Sequence, residues 1–325
     1  MSEPTPPLPA SDAIAVIVVN WNAWRMSLDC LASLRASQGV PWHLFLVDNA
    51  SSDDSHDHLV DLGDDVTVIL ADSNGGWTGG NNLGIRTALA AGYDRFFILN
   101  NDAQVKPDTM ALLVQHADAQ PVRPIIGPIH RDADGGRLNF IGTTPDPKVG
   151  LPHFINPWYV DLEDFPAAYD TCFIKGAAIL AFREHFDRCG LFDDRYYLNC
   201  DEMDWCYRVR EHGYGVRLLK AAEILHGGSA SIGGAQSPLG VYFLTRNGFL
   251  FAELHCTRKQ RMRHLIATVR WVVQLSGKPS PVRRLIATAI GSEKHAVAAR
   301  RAAMDYLLRR FGDCPPVIRT LSGSR

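Results

Sequence analysis

Apolar and polar positions come in blocks along the first hundred residues. Ile14-Ala15-Val16-Ile17-Val18-Val19 is an unbroken apolar run rich in β-branched residues, and it stops at Asn20-Trp21-Asn22. A run of that length and composition predicts a strand buried on both faces. Leu28, Leu31 and Leu34 then recur at helical spacing until Gly39, which predicts an amphipathic helix. A second strand, His43 to Val47, ends at Asp48-Asn49-Ala50-Ser51-Ser52-Asp53, and a third, Val66 to Leu70, ends before Asn74-Gly75-Gly76. A helix through Leu83 to Ala91 and a fourth strand, Arg95 to Leu99, follow, and that strand ends at Asn100-Asn101-Asp102. Strands alternating with helices predict an α/β fold around a mostly parallel sheet.

The rest of the chain is less regular. Residues 121–170 carry many prolines and give no periodic signal. Cys172 to Phe182 predicts a strand, Asp201 to Glu211 a helix closed by His212-Gly213, and Val216 to Leu219 a short strand. His226 to Gly240 is rich in Gly and Ser and predicts a loop, and from Gly248 onward the chain reads as helical and basic. Three regions are expected: a tail at 1–12, a main α/β domain at 13–245 and a helical basic extension at 246–325.

Charge sharpens that last boundary. The net charge of -2 hides 16 Lys and Arg against 4 Asp and Glu in residues 246–325, with 17 against 31 in the remainder. A basic end on an otherwise acidic chain predicts contact with an anionic surface. Arg258, Lys259, Arg261, Arg263, Arg270, Arg283 and Arg284 interleave with Leu265, Ile266, Val269, Trp271, Val272 and Val273. This pattern suits a membrane interface as well as it suits a solvated helix face packed on the main domain. No nucleic-acid motif accompanies the charge, so nucleic-acid binding is not expected. No apolar run approaches the roughly 20 residues of a membrane span, so any membrane contact is expected to be peripheral. The proline-rich start lacks the pattern of a signal peptide. Seven cysteines at scattered spacings do not read as a disulfide framework and favour a reducing cytoplasm. Cys200 and Cys206 with His212 and His226 have poor spacing for zinc.

Polar residues cluster after each of the four early strands. One such cluster is an ordinary turn; four in succession, at the ends where open α/β sheets bind ligands, predict a site. Asp102, fixed at a strand end, is placed to hold a hard divalent cation with oxygen ligands. Asp201 and Glu202, adjacent at the start of a predicted helix whose positive end favours ionised carboxylates, are candidates to take a proton.

These segments resemble the inverting glycosyltransferases of family 2, which have the GT-A fold, and especially their rhamnosyltransferase-like members. Val18-Val19-Asn20-Trp21-Asn22 is similar to the family's first strand and the Asn after it, and Leu46 to Asp53 to its second, where an Asp at the position of Asp48 recognises the pyrimidine base. Asn74-Gly75-Gly76-Trp77-Thr78-Gly79-Gly80-Asn81-Asn82-Leu83-Gly84-Ile85 is close to N-x-G-F-A-G-G-N-N-x-G-I. Leu99-Asn100-Asn101-Asp102-Ala103 stands at the DxD motif, with Asn100 in place of its first Asp. Lys175-Gly176-Ala177-Ala178-Ile179-Leu180 resembles G-A-x-x-L, and Asp201-Glu202-Met203-Asp204-Trp205-Cys206-Tyr207-Arg208 resembles E-D-x-D-x-C-x-R with its first two acids exchanged. His226 matches a His that completes the metal site, and Tyr242 to Asn247 resembles Y-x-x-x-R-N.

The resemblance covers roughly residues 13–250 and implies a metal-dependent hexosyltransferase. Asn20, Asn22, Asp48, Asn49, Asn74, Gly80, Asn81, Asn82, Asn100, Asn101, Gly176, Ala177 and Arg246 are expected around the nucleotide sugar. Asp102 and His226 are expected to hold Mg2+ or Mn2+. Glu202, or Asp201, is expected to be the base. The implied donor is a UDP- or dTDP-sugar carrying a hexose or deoxyhexose, and the acceptor a glycan, lipid-linked, at the cytoplasmic face of a bacterial inner membrane during cell-surface polysaccharide synthesis. A dinucleotide-dependent dehydrogenase is the rival reading. Its glycine fingerprint follows the first strand, whereas here the glycines follow the third.

Overall fold

The β-branched run that opens the pattern is the central strand of a ten-stranded sheet. A computed structural model describes residues 12–146, 148, 150–227, 237–275 and 294–323. In chain order the elements are β1 (Ile14–Asn20), α1 (Trp24–Arg35), β2 (Trp42–Asp48), α2 (Ser55–His58), β3 (Val66–Leu70), α3 (Gly76–Ala90), β4 (Arg95–Asn100), β5 (Ala103–Val105), α4 (Thr109–Asp118), β6 (Ile125–Arg131), β7 (Leu138–Phe140), β8 (Thr143–Thr144), β9 (His153–Phe154), β10 (Ala168–Asp170), β11 (Ala178–Phe182), α5 (Arg183–Cys189), α6 (Asp201–Glu211), β12 (Val216–His226), α7 (Pro238–His255), α8 (Arg258–Leu275), α9 (Lys294–Leu307) and α10 (Pro316–Ser322).

The strand order is β10-β12-β6-β11-β4-β1-β2-β3, with β5 added to β12 and β7 to β6. β3, β2, β1 and β4 are parallel, as the alternating pattern predicts. β11 runs antiparallel between β4 and β6, and β12 is again parallel to β6, so the sheet is mixed. The register places Asn20 beside Asp48 and Val19 beside Asn100. The polar strand ends therefore sit side by side because the apolar runs that precede them pair without offset.

α1 buries Cys30, Leu31 and Leu34 on one face. Each such leucine contributes about 1.5–3 kcal/mol when fully removed from water. α3 packs differently. Its glycine-rich start is helix, not loop, and it follows β3, whereas the dehydrogenase fingerprint follows a first strand. A methyl at Gly84 would lie 2.6 Å from Ile17 Cγ2, and one at Gly80 would lie 2.7 Å from Val19 Cγ1. These two glycines, four residues apart, let the helix press directly onto β1.

Three elements depart from the sequence reading. The strand expected over Cys172–Phe182 is confined to Ala178–Phe182, because a turn at Gly176-Ala177 breaks the apolar run. The strand expected over Val216–Leu219 continues to His226 through an irregularity between Leu219 and Glu223. In the proline-rich middle, β6 is buried along nearly its whole length. The residues 1–11 of the expected tail, 228–236 of the Gly/Ser-rich segment, the side chains of Val272 and Val273, and Arg283 and Arg284 lie outside the described residues.

The chain divides into two compact units. The first comprises Met1–Thr144, Phe154–Asp193 and Glu202–Gly227, and the second Pro145–His153, Asp194–Asp201 and Gly228–Arg325. The boundary expected between 245 and 246 falls inside the continuous helix α7. The second unit has its own core, where Leu239, Tyr242 and Phe243 of α7 meet Ala298, Ala302 and Ile318.

Gly84→Ala should therefore overpack the α3–β1 contact and lose about 1–3 kcal/mol of stability, read from urea unfolding. Gly79→Ala, whose new methyl meets nothing within 4 Å, is the control and should be neutral or slightly stabilising.

Candidate active site

The strand ends of the first unit are joined by side chains rather than by chance proximity. Asn20, fully buried at the end of β1, donates from Nδ2 to Asp48 Oδ1 at 3.1 Å and to Ser51 Oγ at 3.1 Å. Its Oδ1 accepts from Ser27 Oγ at 2.9 Å. Ser27 in turn accepts from Asn101 Nδ2 at 3.1 Å, so one connected network runs from the end of β4 to the loop after β2. The Ser51 hydroxyl also donates to Asp48 Oδ1. Asn22, in the left-handed region at φ 52°, accepts from the backbone N–H groups of Ser52 and Asp53 at 2.7 and 3.2 Å. Within the side-chain network of Asn20, Ser27, Ser51 and Asn101, Asp48 carries the charge.

The next loop is fastened in the same manner. Asn49 donates from Nδ2 to Asn74 Oδ1 at 3.0 Å and to the Gly76 carbonyl at 2.9 Å, and it accepts from Gly75 N–H at 3.1 Å. Trp77 Nε1 donates to Asn100 Oδ1 at 2.7 Å. The indole needs Gly176, because a methyl there would lie 2.8 Å from Trp77 Cζ2. Ala177 accepts from Asn100 N–H at 3.0 Å. Asn82 donates to the Phe192 carbonyl at 2.8 Å and accepts from its N–H at 3.1 Å. Asn81 donates to the Trp77 carbonyl at 2.8 Å, while its Oδ1 is buried without a hydrogen-bond partner among the described residues. Asn82 and Gly80 thus hold the scaffold, while Asn81 keeps an acceptor in reserve.

The chemistry-bearing groups converge where β4 ends. Asp102 Oδ1 lies 3.2 Å from His226 Nε2, at the C-terminus of β12. The contact is at ion-pair distance without hydrogen-bond alignment, and both ring nitrogens of His226 are buried without a regular hydrogen bond among the described residues. Burial alone would raise the Asp102 carboxyl, but His226 and, more weakly, Lys175 outweigh it and hold the carboxyl below its ordinary value. The His226 carbonyl accepts from Asn139 Nδ2 at 3.1 Å, which ties the strand end to β7. His130 lies edge-on to His226, with ring centroids 5.8 Å apart. It is fully buried, neither of its ring nitrogens has a hydrogen-bond partner among the described residues, and burial keeps it neutral.

Glu202 is half-buried at the start of α6, whereas Asp201, one residue earlier, is 2% exposed. Glu202 is therefore the more accessible of the two acids, and a base must reach an incoming hydroxyl. Further along α6, Asp204 pairs with Arg208 at 2.9 Å, and Arg208 donates to the Cys189 and Leu191 carbonyls, so this pair braces the helix. Cys206 is fully buried and burial pushes its thiol up, which leaves it as core.

Arg246, expected at the donor, belongs to the second unit. In the second unit it is fully buried, and its guanidinium donates to the carbonyls of Gly312 at 2.6 Å, Tyr196 at 2.9 Å and Arg195 at 3.3 Å. Asn247 donates to the carbonyls of Tyr196, Leu198 and Asn199. Together they clamp a segment in which Tyr197, Asn199 and Cys200 all take the left-handed conformation, at φ 65°, 65° and 68°. That conformation costs a residue with a side chain roughly 1–2 kcal/mol. The R-N pair therefore stabilises the strained approach to Asp201.

Sequence reasoning missed Ser27, Ser51, Trp77, His130 and Lys175. The first three look like ordinary loop and helix residues until the register is known. Lys175 carried a signal, a lone lysine in an otherwise apolar run.

Two donor side chains, Asp102 and His226, fit a divalent cation that takes its remaining oxygens from a bound diphosphate and water, the usual arrangement for Mg2+. Among the described residues no cluster of three or more His, Cys, Asp or Glu stands ready to hold a metal unaided.

A family model described as Glycosyl transferase family 2 matches residues 15–190. The N-acetylglucosaminyl-diphospho-decaprenol L-rhamnosyltransferase of Mycobacterium tuberculosis is 25% identical over 241 residues, 69% of this chain and 78% of that one. The dTDP-rhamnosyl transferase RfbF of Shigella flexneri is 22% identical over 244 residues, 73% of this chain and 79% of that one. Among solved structures, the mannosyltransferase PcManGT from Pyrobaculum calidifontis, in complex with GDP-Man and Mn2+, is similar with a TM-score of 0.58 at 15% identity, over 94% of this chain and 90% of that one. The GT-A fold with C-terminal helices follows from these likenesses and from the mixed sheet.

Asn20→Ala should orphan the Ser27 hydroxyl and remove a donor from buried Asp48. A loss of about 1–3 kcal/mol is expected from the unpaired groups, measured by urea unfolding.

Proposed function

The chain belongs to glycosyl transferase family 2, in its rhamnosyltransferase-like branch, and from that premise we propose an inverting transfer of a hexose or deoxyhexose from a UDP- or dTDP-sugar to a glycan hydroxyl. The observation that carries the reading is the pairing of Asp102 with His226, within the unit that also holds half-buried Glu202 and the strand ends fastened around Asp48.

In this reading Asp48 and the loops bound by Asn20, Asn22, Asn49 and Asn74 receive the nucleoside. Asn81, Asn100, Asn101, Gly176 and Ala177 line the path toward the sugar. The acceptor oxygen attacks the anomeric carbon as the bond from that carbon to the phosphate oxygen breaks. The bonding pair leaves with the nucleoside diphosphate, and the hydroxyl proton passes to the Glu202 carboxylate. A single displacement inverts the anomeric configuration. Mg2+ or Mn2+ bound by Asp102 and His226 would supply positive charge to the leaving diphosphate.

A dTDP-sugar donor and a lipid-diphosphate-linked acceptor are supported by the names of the Shigella and Mycobacterium relatives. A lipid-linked acceptor requires the enzyme to work at a membrane surface, proposed as the cytoplasmic face of the inner membrane. Among the described residues no helix is long and apolar enough to cross a membrane. α8 suits an interfacial role instead. His264 and Thr268 on one face are buried, while Met262, Leu265, Ile266 and Val269, at 58%, 44%, 45% and 47% exposure, form a stripe on the opposite face. Exposed Arg258 and Arg261 flank one side of that stripe and Lys259, Arg263 and Arg270 the other. An apolar stripe between basic flanks complements anionic lipid. Trp271, grouped by the sequence with the apolar stripe, packs against the second unit's core instead.

Two tests follow. Glu202→Gln should reduce donor turnover by about 10²–10⁴-fold, the usual worth of a positioned base, while Asp201→Asn should retain far more activity; the reverse ranking would assign the base to Asp201. Leu265→Ser with Ile266→Ser in the full chain should lower co-flotation with vesicles containing anionic phosphatidylglycerol by about tenfold, given the apolar area removed. Flotation equal to wild type would contradict the interfacial role of α8.

A further inference from the structure

We propose that Lys175 is a diphosphate-binding group whose ammonium donates a charge-assisted hydrogen bond to a phosphate oxygen of the nucleotide donor. The inference rests on the donor reading above and names a residue that the reading does not use. Lys175 immediately precedes the Gly176-Ala177 turn, and β11 beyond that turn pairs antiparallel with β4, with Asn100 N–H bonded to the Ala177 carbonyl. The turn, closed by Ala178 N–H on the Lys175 carbonyl, holds Lys175 at the end of the sheet where β4 stops and Asp102 follows. The side chain is half-buried, and among the described residues it makes neither a hydrogen bond nor an ion pair.

A desolvated ammonium without a direct partner is costly. A structural lysine at this place would close on one of the carboxylates. Lys175 instead feels the charge of two of them without bonding to either among the described residues. Burial lowers its pKa, and the charges of Glu202 and Asp102 pull in the other direction. It is also felt by His130, so one cation faces the base, the metal-site carboxylate and a neutral buried imidazole. Asn100 supplies the reason such a cation is useful. With an amide where a carboxylate would help to hold a metal ion, the segment has one acid fewer with which to neutralise the diphosphate through a cation. A fixed ammonium makes up part of that charge, and an ion-assisted hydrogen bond to phosphate is among the stronger polar contacts.

The test uses the full chain and isothermal titration with UDP, dTDP and GDP, and with uridine, thymidine and guanosine, in excess EDTA and with Mn2+. In EDTA the wild type should bind at least one diphosphate more tightly than its nucleoside. Lys175→Met should weaken that diphosphate about tenfold, the effect of losing one charge-assisted bond, leave the nucleoside unchanged, and be largely rescued in Lys175→Arg. Lys175→Gln serves the same comparison if the Met variant fails to fold. The proposal is overturned if the neutral variant binds the diphosphate in EDTA as the wild type does, or loses nucleoside and diphosphate affinity equally. It is also overturned if wild-type diphosphate binding vanishes in EDTA, since the metal ion then carries the diphosphate alone. A wild type that binds none of the three diphosphates under either condition would instead reject the donor reading itself.

Discussion

The side chain of Asn20 sets the geometry on which the rest of the first unit depends. It ends β1, it is fully buried, and it bonds at once to Asp48, Ser51 and Ser27. Buried polar groups must be paired or they cost about 1–3 kcal/mol each, so this network tolerates one arrangement of the strand ends. Through Ser27 it reaches Asn101, and Asp102 follows directly in the chain. The loop after β2 and the segment after β4 are thus parts of one hydrogen-bonded assembly. Parallel pairing without offset brings these residues together, and the side-chain network then fixes them.

Much of this was legible in the amino-acid sequence, and the limits of legibility have physical causes. Apolar runs bounded by Asn and Asp marked β1 to β4 because strands buried on both faces must be continuously hydrophobic. β12 was underestimated because Lys220 and Glu223 interrupt its pattern. Glu223 is paired with Arg131 and Lys106 from other elements, which no local pattern reveals. The strand before Phe182 was overestimated because its apolar composition hid the turn at Gly176-Ala177. Those two residues resembled a family motif, yet Gly176 is required by the Trp77 indole, a contact between segments a hundred residues apart. The register of Asp204, Cys206 and Arg208 favoured Glu202 over Asp201 as the base, and the exchanged order of the two acids kept both as candidates; in the fold Asp201 is the more buried of the two. The charges acting on Lys175 were not legible in the sequence, since Glu202 and Asp102 come from distant parts of the chain.

Arg246 shows what a motif residue does for the packing of its own unit. Its guanidinium donates to three carbonyl oxygens. With Asn247 it holds three successive departures into left-handed backbone among residues 197–200. Such strain persists only where the surroundings over-determine it. The second unit thereby stabilises the segment that leads into α6, and its helix α8 presents an exposed apolar stripe between basic flanks. Charge asymmetry along the chain anticipated the basic surface, while the division of α8 into a packed face and an exposed one required the helix to be seen in place.

The account's central claim is that the fastened strand ends receive a nucleotide sugar. The most direct measurement is turnover of a panel of UDP-, dTDP- and GDP-linked hexoses and deoxyhexoses by the purified chain with Mg2+ or Mn2+, followed by release of nucleoside diphosphate. The account predicts release from a UDP- or dTDP-sugar and its loss in Asp102→Ala. Release undiminished by that substitution, or none from any donor in the presence of lipid-linked glycan acceptors, would contradict it.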